Sequence, residues 1–320
     1  MDILVIGSLN MDVIFDTPRM PAEGETILGG RFATAPGGKG ANQAVAAARL
    51  AHPHTRVRMA GCLGDDAFGG HLRQELVDAG ADCTFVRTLP GVASGVALIL
   101  LENGLNRIIV ASGANAALST EQIDTLEPMM RAGDILLIQL EIPLPAVQHA
   151  VALARSKGMR VLLNPAPAPT IPLPDDLLAQ IDILTPNESE CAALTGLPCT
   201  TPEFAAIAAR ALRARGVPQV VVTLGGQGVL YNRGDVLLHR AVPKVSVIDT
   251  TAAGDAFSGA LAVALAEGMD IDAAVDFANA TGTCTVMKAG AQPSLPFRAE
   301  VDAWLAAQPP LSSQNMPAHE

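Results

Sequence analysis

The segment Thr250-Thr251-Ala252-Ala253-Gly254-Asp255-Ala256-Phe257-Ser258-Gly259-Ala260 sets a carboxylate directly after a run of small residues, where the sequence reads as the start of a helix. Small residues let the backbone approach a ligand closely. The first N–H groups of a helix have no intrahelical acceptor and carry the positive end of its dipole, so they form an anion site. A phosphate there would lie beside Asp255, whose carboxylate could accept the proton of an attacking hydroxyl. Taken alone, the segment is better read as an ordinary helix cap or first-turn acid, and it is a second glycine-rich run far upstream that shifts the balance.

Outward from it, short apolar runs alternate with Ala/Leu-rich stretches, the pattern of βαβ units. Strands are expected at Ile3–Ile6, Val57–Ala60, Ile135–Leu140, Val161–Leu163, Ile181–Leu184 and Val220–Leu224. Helices are expected at Asn42–Leu50, Gly69–Ala79, Leu144–Lys157, Glu203–Arg215 and Ala256–Glu267. The fold class is therefore α/β: a Rossmann-like, mostly parallel sheet flanked by helices. Polar residues follow strand after strand: Asn10 and Asp12, Gly64-Asp65, Glu141, Asn164, Asn187 and Gly225-Gly226. Each alone fits a turn, but ligands bind at the carboxyl ends of strands in open parallel sheets, and together these residues point to one site.

Two segments break the βα rhythm, residues 13–35 and 94–111, the second with Asn103-Gly104 between apolar runs. They read as a small antiparallel sheet outside the main one. One α/β domain over 1–307 is expected, with residues 308–320, rich in Pro, Ser, Gln and Asn, as a frayed tail.

A second glycine-rich run, Gly37-Gly38-Lys39-Gly40-Ala41-Asn42-Gln43-Ala44, leads into a helical stretch. With the Asp255 segment it resembles both signatures of the ribokinase-like sugar kinases, the phosphofructokinase B family. Gly7-Ser8-Leu9-Asn10-Met11-Asp12, Gln139-Leu140-Glu141, Asn164-Pro165-Ala166-Pro167, Pro186-Asn187-Glu188 and Gly290-Ala291-Gln292-Pro293-Ser294 narrow the resemblance to that family's ribokinase branch, over roughly residues 2–307.

The resemblance implies ATP-dependent phosphoryl transfer to the 5-hydroxyl of ribose. Asp255 would be the base and the N–H groups of Ala252, Ala253 and Gly254 would carry charge. It implies a sugar site of Asn10, Asp12, Gly37, Gly38, Lys39, Asn42, Glu141 and Asp255, and a nucleotide site of Asn187, Thr223, Gly225, Gly226, Gly228, Gly254 and Asn279. Mg²⁺ is expected at Glu190, through water, and an activating K⁺ near Asp249, Thr251, Thr285, Lys288, Gly290 and Ser294. The small sheet becomes a lid over the sugar and a homodimer surface, whose apolar edge strands a second copy would cover. Within the family, 2-deoxyribose, a hexose or a nucleoside are alternative acceptors; outside it, the alternative is a sugar-binding sensor without transfer.

With 320 residues, 49% of them hydrophobic, the chain can bury a sizeable core. A net charge of −11 without basic runs argues against nucleic acid and anionic membranes as partners. Met1–Ile6 reads as a strand rather than a leader, which implies a cytoplasmic protein. Cys62, Cys83, Cys191, Cys199 and Cys284 form no C-x-x-C pair and read as reduced thiols. The P-loop, the dinucleotide fingerprint and the G-x-S-x-G elbow are missing, so P-loop kinase, dehydrogenase and serine hydrolase readings lose support.

Overall fold

The computed structural model describes residues 1–102, 105–308 and 313–316. Its strands are β1 Ile3–Ile6, β2 Asn10–Asp16, β3 Phe32–Gly37, β4 Val57–Gly64, β5 Asp82–Leu89, β6 Gly95–Glu102, β7 Leu105–Ala111, β8 Ile135–Ile138, β9 Arg160–Leu163, β10 Ile183–Leu184, β11 Gln219–Thr223, β12 Val229–Arg233, β13 Val236–Arg240 and β14 Ser313–Asn315. The helices are α1 Lys39–Leu50, α2 Ala67–Asp78, α3 Thr120–Asp124, α4 Leu144–Ser156, α5 Asp175–Leu178, α6 Glu188–Thr195, α7 Pro202–Ala214, α8 Ala253–Ala266, α9 Ile271–Val286 and α10 Arg298–Ala307.

Ten strands form the main sheet in the order β14-β13-β12-β11-β10-β9-β8-β1-β4-β5. It is parallel from β11 to β5 and antiparallel from β11 to β14. Strand alternation splits the core between two faces: Ile3 and Val5 pack with α1, α8 and α9, while Leu4 and Ile6 pack with α4 and α7. Burial on both faces explains why these strands read as unbroken apolar runs. Each fully buried Leu, Ile or Val side chain contributes about 1.5–3 kcal/mol.

The second sheet has the order β3-β2-β6-β7. The expectation of an antiparallel sheet needs correcting. β2 pairs antiparallel with β3, and β6 with β7, but β2 and β6 run parallel, Asn10 opposite Gly95, so the sheet is mixed. Both central strands leave the main sheet in the same direction. The expected turn at Asn103-Gly104 lies outside the described residues.

The tail also departs from expectation. Ser313–Asn315 pair antiparallel with β13, and Met316 donates its N–H to Leu237 O at 2.9 Å. Backbone pairing on an otherwise open sheet edge orders this polar segment, which composition alone does not foretell. All five cysteines are free thiols, and only Cys83 is partly exposed. No helix of the described residues is long and apolar enough to cross a membrane.

Candidate active site

Helix α8 starts without a side-chain cap. Its N-cap, Ala252, has φ 60°, the one non-glycine in left-handed backbone among the described residues. Such a conformation is costly for alanine and marks a loop held in place by its surroundings. The N–H groups of Ala252, Gly254 and Asp255 have no protein acceptor among the described residues, whereas that of Ala253 bonds Thr250 O at 3.3 Å. Of the three donors expected from the sequence, Ala253 is thus occupied and Asp255 takes its place.

The Asp255 side chain is 7% exposed. Asn42 Nδ2 donates to its Oδ2, and Gln43 Nε2 to its Oδ1, each at 2.9 Å. Gln43 also donates to Asn164 Oδ1 at 3.0 Å and accepts from Gln139 Nε2 at 2.5 Å, while Asn164 Nδ2 donates to Thr185 O at 2.8 Å. The base candidate is therefore clamped by α1 and braced against the ends of β8, β9 and β10. Burial raises its pKa above the ordinary carboxylate value, opposed by Lys39 and by the Asn42 and Gln43 amides. A raised pKa makes it a better proton acceptor.

Helix α1 enters the site at Gly38, whose φ is 90° and where a Cβ would stand 2.6 Å from Asn10 N. Only glycine fits there. Unlike α8, the first turn of α1 is filled from within: Lys39 N donates to Glu141 Oε2 at 3.0 Å, Gly40 N to Ser8 Oγ at 3.3 Å and Ala41 N to Ser8 O at 2.9 Å. Ser8 Oγ in turn donates to Glu141 Oε2 at 2.6 Å. Asp12 lies against Gly37, where a Cβ would stand 2.5 Å from its Oδ2. Burial, with like charge from Glu141 and Asp255, pushes the Asp12 pKa up to about 7 against the pull of Lys39. Burial pulls the Lys39 ammonium down, but Asp255, Glu141, Glu190 and Asp12 outweigh that and hold its pKa above the usual lysine value.

A cavity of about 200 Å³ joins these groups, lined by Lys39, Asn164, Ala166, Thr185, Asn187, Glu190, Thr223, Thr250, Ser258 and Ala252 to Asp255. That volume holds several waters, or a phosphoryl group and part of a hydrated ion. It is ringed by strand ends and opens onto the free N–H groups of α8: an anion site with a carboxylate and an ammonium at its edge.

Residues 1–298 match the pfkB family carbohydrate kinases. The chain belongs to that family. It is an ATP-dependent carbohydrate kinase. The ribokinase of Schizosaccharomyces pombe is 41% identical over 94% of this chain and 96% of its own length. The deoxyribokinase of Salmonella typhi is 38% identical over 96% and 99%. The solved structure of Arabidopsis thaliana ribokinase complexed with ribose and ATP superposes with a TM-score of 0.87 at 35% identity, covering 96% of this chain and 99% of that one. The fold is that of the ribokinases, the four-stranded sheet being their lid.

In this kinase the sequence-derived residues fall into connected groups. Lys39, Asn187, Glu190, Thr223, Ala252, Ala253, Gly254 and Asp255 line the cavity itself. Asn42 and Glu141 join it through their bonds to Asp255 and to the Lys39 backbone. Asn10 and Asp12 lie two residues apart on one face of lid strand β2, not in a loop after β1. Asn187 and Glu190 form a capping box at α6: Glu190 N donates to Asn187 Oδ1 at 2.9 Å and Asn187 N to Glu190 Oε2 at 2.9 Å. Burial nevertheless raises the Glu190 pKa, opposed by the Asn187 N–H and Lys39.

Gly225, Gly226 and Gly228 follow Thr223 in a tight turn beyond the cavity. Asn279 is buried on α9, and its Nδ2 has no hydrogen-bond partner among the described residues. Asp249 links the remaining loops: Oδ1 accepts from Thr251 N and Oγ1 at 2.9 and 2.6 Å, and Oδ2 from Gly290 N at 2.9 Å. Thr285 Oγ1 bonds Thr281 O, Ser294 Oγ bonds Ala291 O, and the Lys288 ammonium pairs with Glu300, so Lys288 could offer an ion only its carbonyl.

Gly64-Asp65 does not join the cavity. Asp65 accepts from Gly91 N, and the next residue, Asp66, caps α2 and holds Ser94. Turn geometry accounts for that acid. The sequence reading missed the positioning role of Gln43, Gln139 and Ser8, although all stand inside the motif runs; amide and hydroxyl side chains within those otherwise small or apolar runs were the available signal.

Proposed function

We propose that this kinase transfers the γ-phosphoryl group of MgATP to the 5-hydroxyl of D-ribose, giving ribose 5-phosphate, with Asp255 as general base. One observation carries the reading: the Asp255 carboxylate is buried, held at each oxygen by an amide, and shares a cavity with the free N–H groups of α8. Asn10, Asp12, Gly37, Gly38, Lys39, Asn42 and Glu141 hold the sugar. Asn187, Thr223, Gly225, Gly226, Gly228, Gly254 and Asn279 hold the nucleotide, and the unpaired Asn279 Nδ2 suits an acceptor on the base or ribose.

The bond from the 5-oxygen to phosphorus forms as the bond from phosphorus to the bridging β-oxygen breaks, and the hydroxyl proton passes to Asp255. In a loose transition state that proton leaves late, so a buried carboxylate suffices. The N–H groups of Gly254 and Asp255, with the Lys39 ammonium, stabilise charge on the transferring group. Bound Mg²⁺ would offset the negative charge of the phosphates. Glu190 fits a water-mediated role: each of its oxygens accepts one Asn187 N–H and keeps a lone pair. K⁺ fits the oxygen-rich loops tied by Asp249, where Thr251, Thr285, Lys288, Gly290 and Ser294 would fix the shape of the α8 entrance.

The exposed apolar residues Phe32, Ile108, Ile109 and Val110 support a homodimer through the lid. The chain acts in the cytoplasm as one α/β domain over residues 1–307, to whose main sheet Ser313–Asn315 add an edge strand.

The 38% identity to a deoxyribokinase makes 2-deoxyribose the second reading. Asn10 beside Asp12 favours a sugar with its full hydroxyl pattern. ADP release from MgATP with ribose, 2-deoxyribose, fructose and adenosine, in K⁺ and in buffer free of K⁺ and Na⁺, tests these points. Ribose is expected to give the highest kcat/KM and K⁺ to raise turnover. Preference for another acceptor would move the substrate, and equal turnover without K⁺ would remove the cation.

A further inference from the structure

The two ends of an asparagine amide are told apart only by their bonding partners. At Asn115, just beyond β7, the backbone does this. Its Oδ1 accepts from Leu9 N at 2.9 Å and its Nδ2 donates to Leu9 O at 3.1 Å. A backbone N–H only donates and a carbonyl only accepts, so one orientation alone satisfies both. The second N–H of Asn115 then donates to Asn10 Oδ1 at 2.8 Å. That uses the acceptor end of Asn10 and leaves its NH₂ as the available end. Asn115 and Asn10 are 1% and 3% exposed, so water cannot readily substitute in this contact. Gly95 on β6 makes room for it: a Cβ there would stand 2.2 Å from Asn10 Oδ1 and 2.3 Å from Asn115 Nδ2.

We infer that Asn115 is a positioning residue for sugar specificity: by holding the Asn10 amide in one orientation, it makes the site demand an acceptor hydroxyl at carbon 2 or 3 of a furanose. The inference rests on the reading that Asn10 and Asp12 face the sugar. With the amide held this way, the pair offers a donor group and, in ionised Asp12, an acceptor group. A single hydroxyl can accept from Asn10 and donate to Asp12; a methylene can do neither. A flipped Asn10 would set two acceptors side by side and lose that distinction. Asn115 would thus select the sugar without touching it.

The test compares kcat/KM for ribose, 2-deoxyribose and 3-deoxyribose in the parent, Asn115→Asp and Gly95→Ala. Aspartate keeps the shape and the bond from Leu9 N but has only acceptors when ionised, which turns the Asn10 NH₂ toward it. The Cβ of Gly95→Ala disrupts the same contact from the lid and carries the test if Asn115→Asp does not fold. The parent is expected to prefer ribose over at least one deoxy analogue by about tenfold or more, since a lost hydroxyl leaves buried polar groups unpaired. The variants should lose most of that preference through a raised ribose KM, with the MgATP KM little changed. The analogue whose handicap disappears identifies the hydroxyl that Asn10 contacts. A packing defect would slow all three sugars alike; unchanged ratios in folded variants, checked by thermal melting, overturn the inference. A parent that phosphorylates no ribose defeats the functional reading first, and this inference with it.

Discussion

In the ten-stranded sheet the site's polar residues stand at or beyond strand ends, Asn164 after β9, Asn187 after β10 and Thr223 closing β11, whereas in the lid Asn10 and Asp12 lie within β2 itself. The main sheet is buried on both faces, so its strands must be apolar and polar chemistry is pushed to the rim. The lid is a thin layer: Asn10 and Asp12 are buried on β2, yet Phe32 and Ile109 remain 59% and 62% exposed. A rigid layer that braces Asp255 suits catalysis. A thin layer with polar groups inside its strands suits selecting and covering a substrate.

The largest expected break falls on the rigid side. Asp255→Asn keeps shape and removes the proton acceptor; general-base loss typically costs about 10²–10⁴-fold, and it should appear in kcat with the sugar KM little changed. Unchanged turnover would dismiss Asp255 as the base.

Gln43→Leu comes next. It removes the donor to Asp255 Oδ1 and strands Gln139 Nε2 and Asn164 Oδ1. Misplacing the base should lower kcat by about 10–100-fold. Because that bond favours the ionised carboxylate, its loss raises the Asp255 pKa, and the acidic limb of kcat moves to higher pH. A lower melting temperature with an unmoved limb would reduce Gln43 to a packing residue.

How far the sequence carried this reading follows the same division. The strands at the centre of the main sheet were legible, because two-sided burial leaves continuous apolar runs. β5, β12 and β13 were not: Asp82, Arg87, Asn232 and His239 interrupt them, as strands toward a sheet's exposed margin allow. The parallel pairing of β2 with β6 was hidden, since period-2 patterning carries no strand direction. Asp255 and the glycine runs stood out by composition. The bracing amides and the filled first turn of α1 did not, because a buried hydrogen-bond network depends on partners as distant in sequence as Gln43 and Asn164.

On the lid side the expected effect is smaller and lies in sugar capture. Asp12, with its pKa near 7, must be ionised to accept hydroxyl protons. Since kcat/KM reports free-enzyme groups, it should fall by about tenfold between pH 8 and pH 6, and Asp12→Asn should flatten that limb at a lower plateau. The linkage sign runs the other way for stability. Between the unfolded value near 3.8 and the folded value of about 7, the native state binds more protons, so this group makes the fold less stable as pH rises. Asp12→Asn should therefore raise the melting temperature at pH 8 more than at pH 5. Equal shifts at both would mean that Asp12 is ionised throughout.

The smallest catalytic effect is expected at the lid's outer strand. Ile108, Ile109 and Val110 are each about half exposed or more on β7, whose outer edge has no neighbouring strand among the described residues. An apolar edge of this kind invites a second copy of the same strand. Sedimentation at micromolar protein should give twice the 33.0 kDa chain mass, and Ile109→Glu should return it to one chain, because apposed like charges would be buried together. Ile109 touches none of the groups that hold Asp255, so kcat should stay within a few-fold of the parent. A parent that sediments as a monomer would mean the lid closes over its sugar unaided, and its apolar strand would need another explanation.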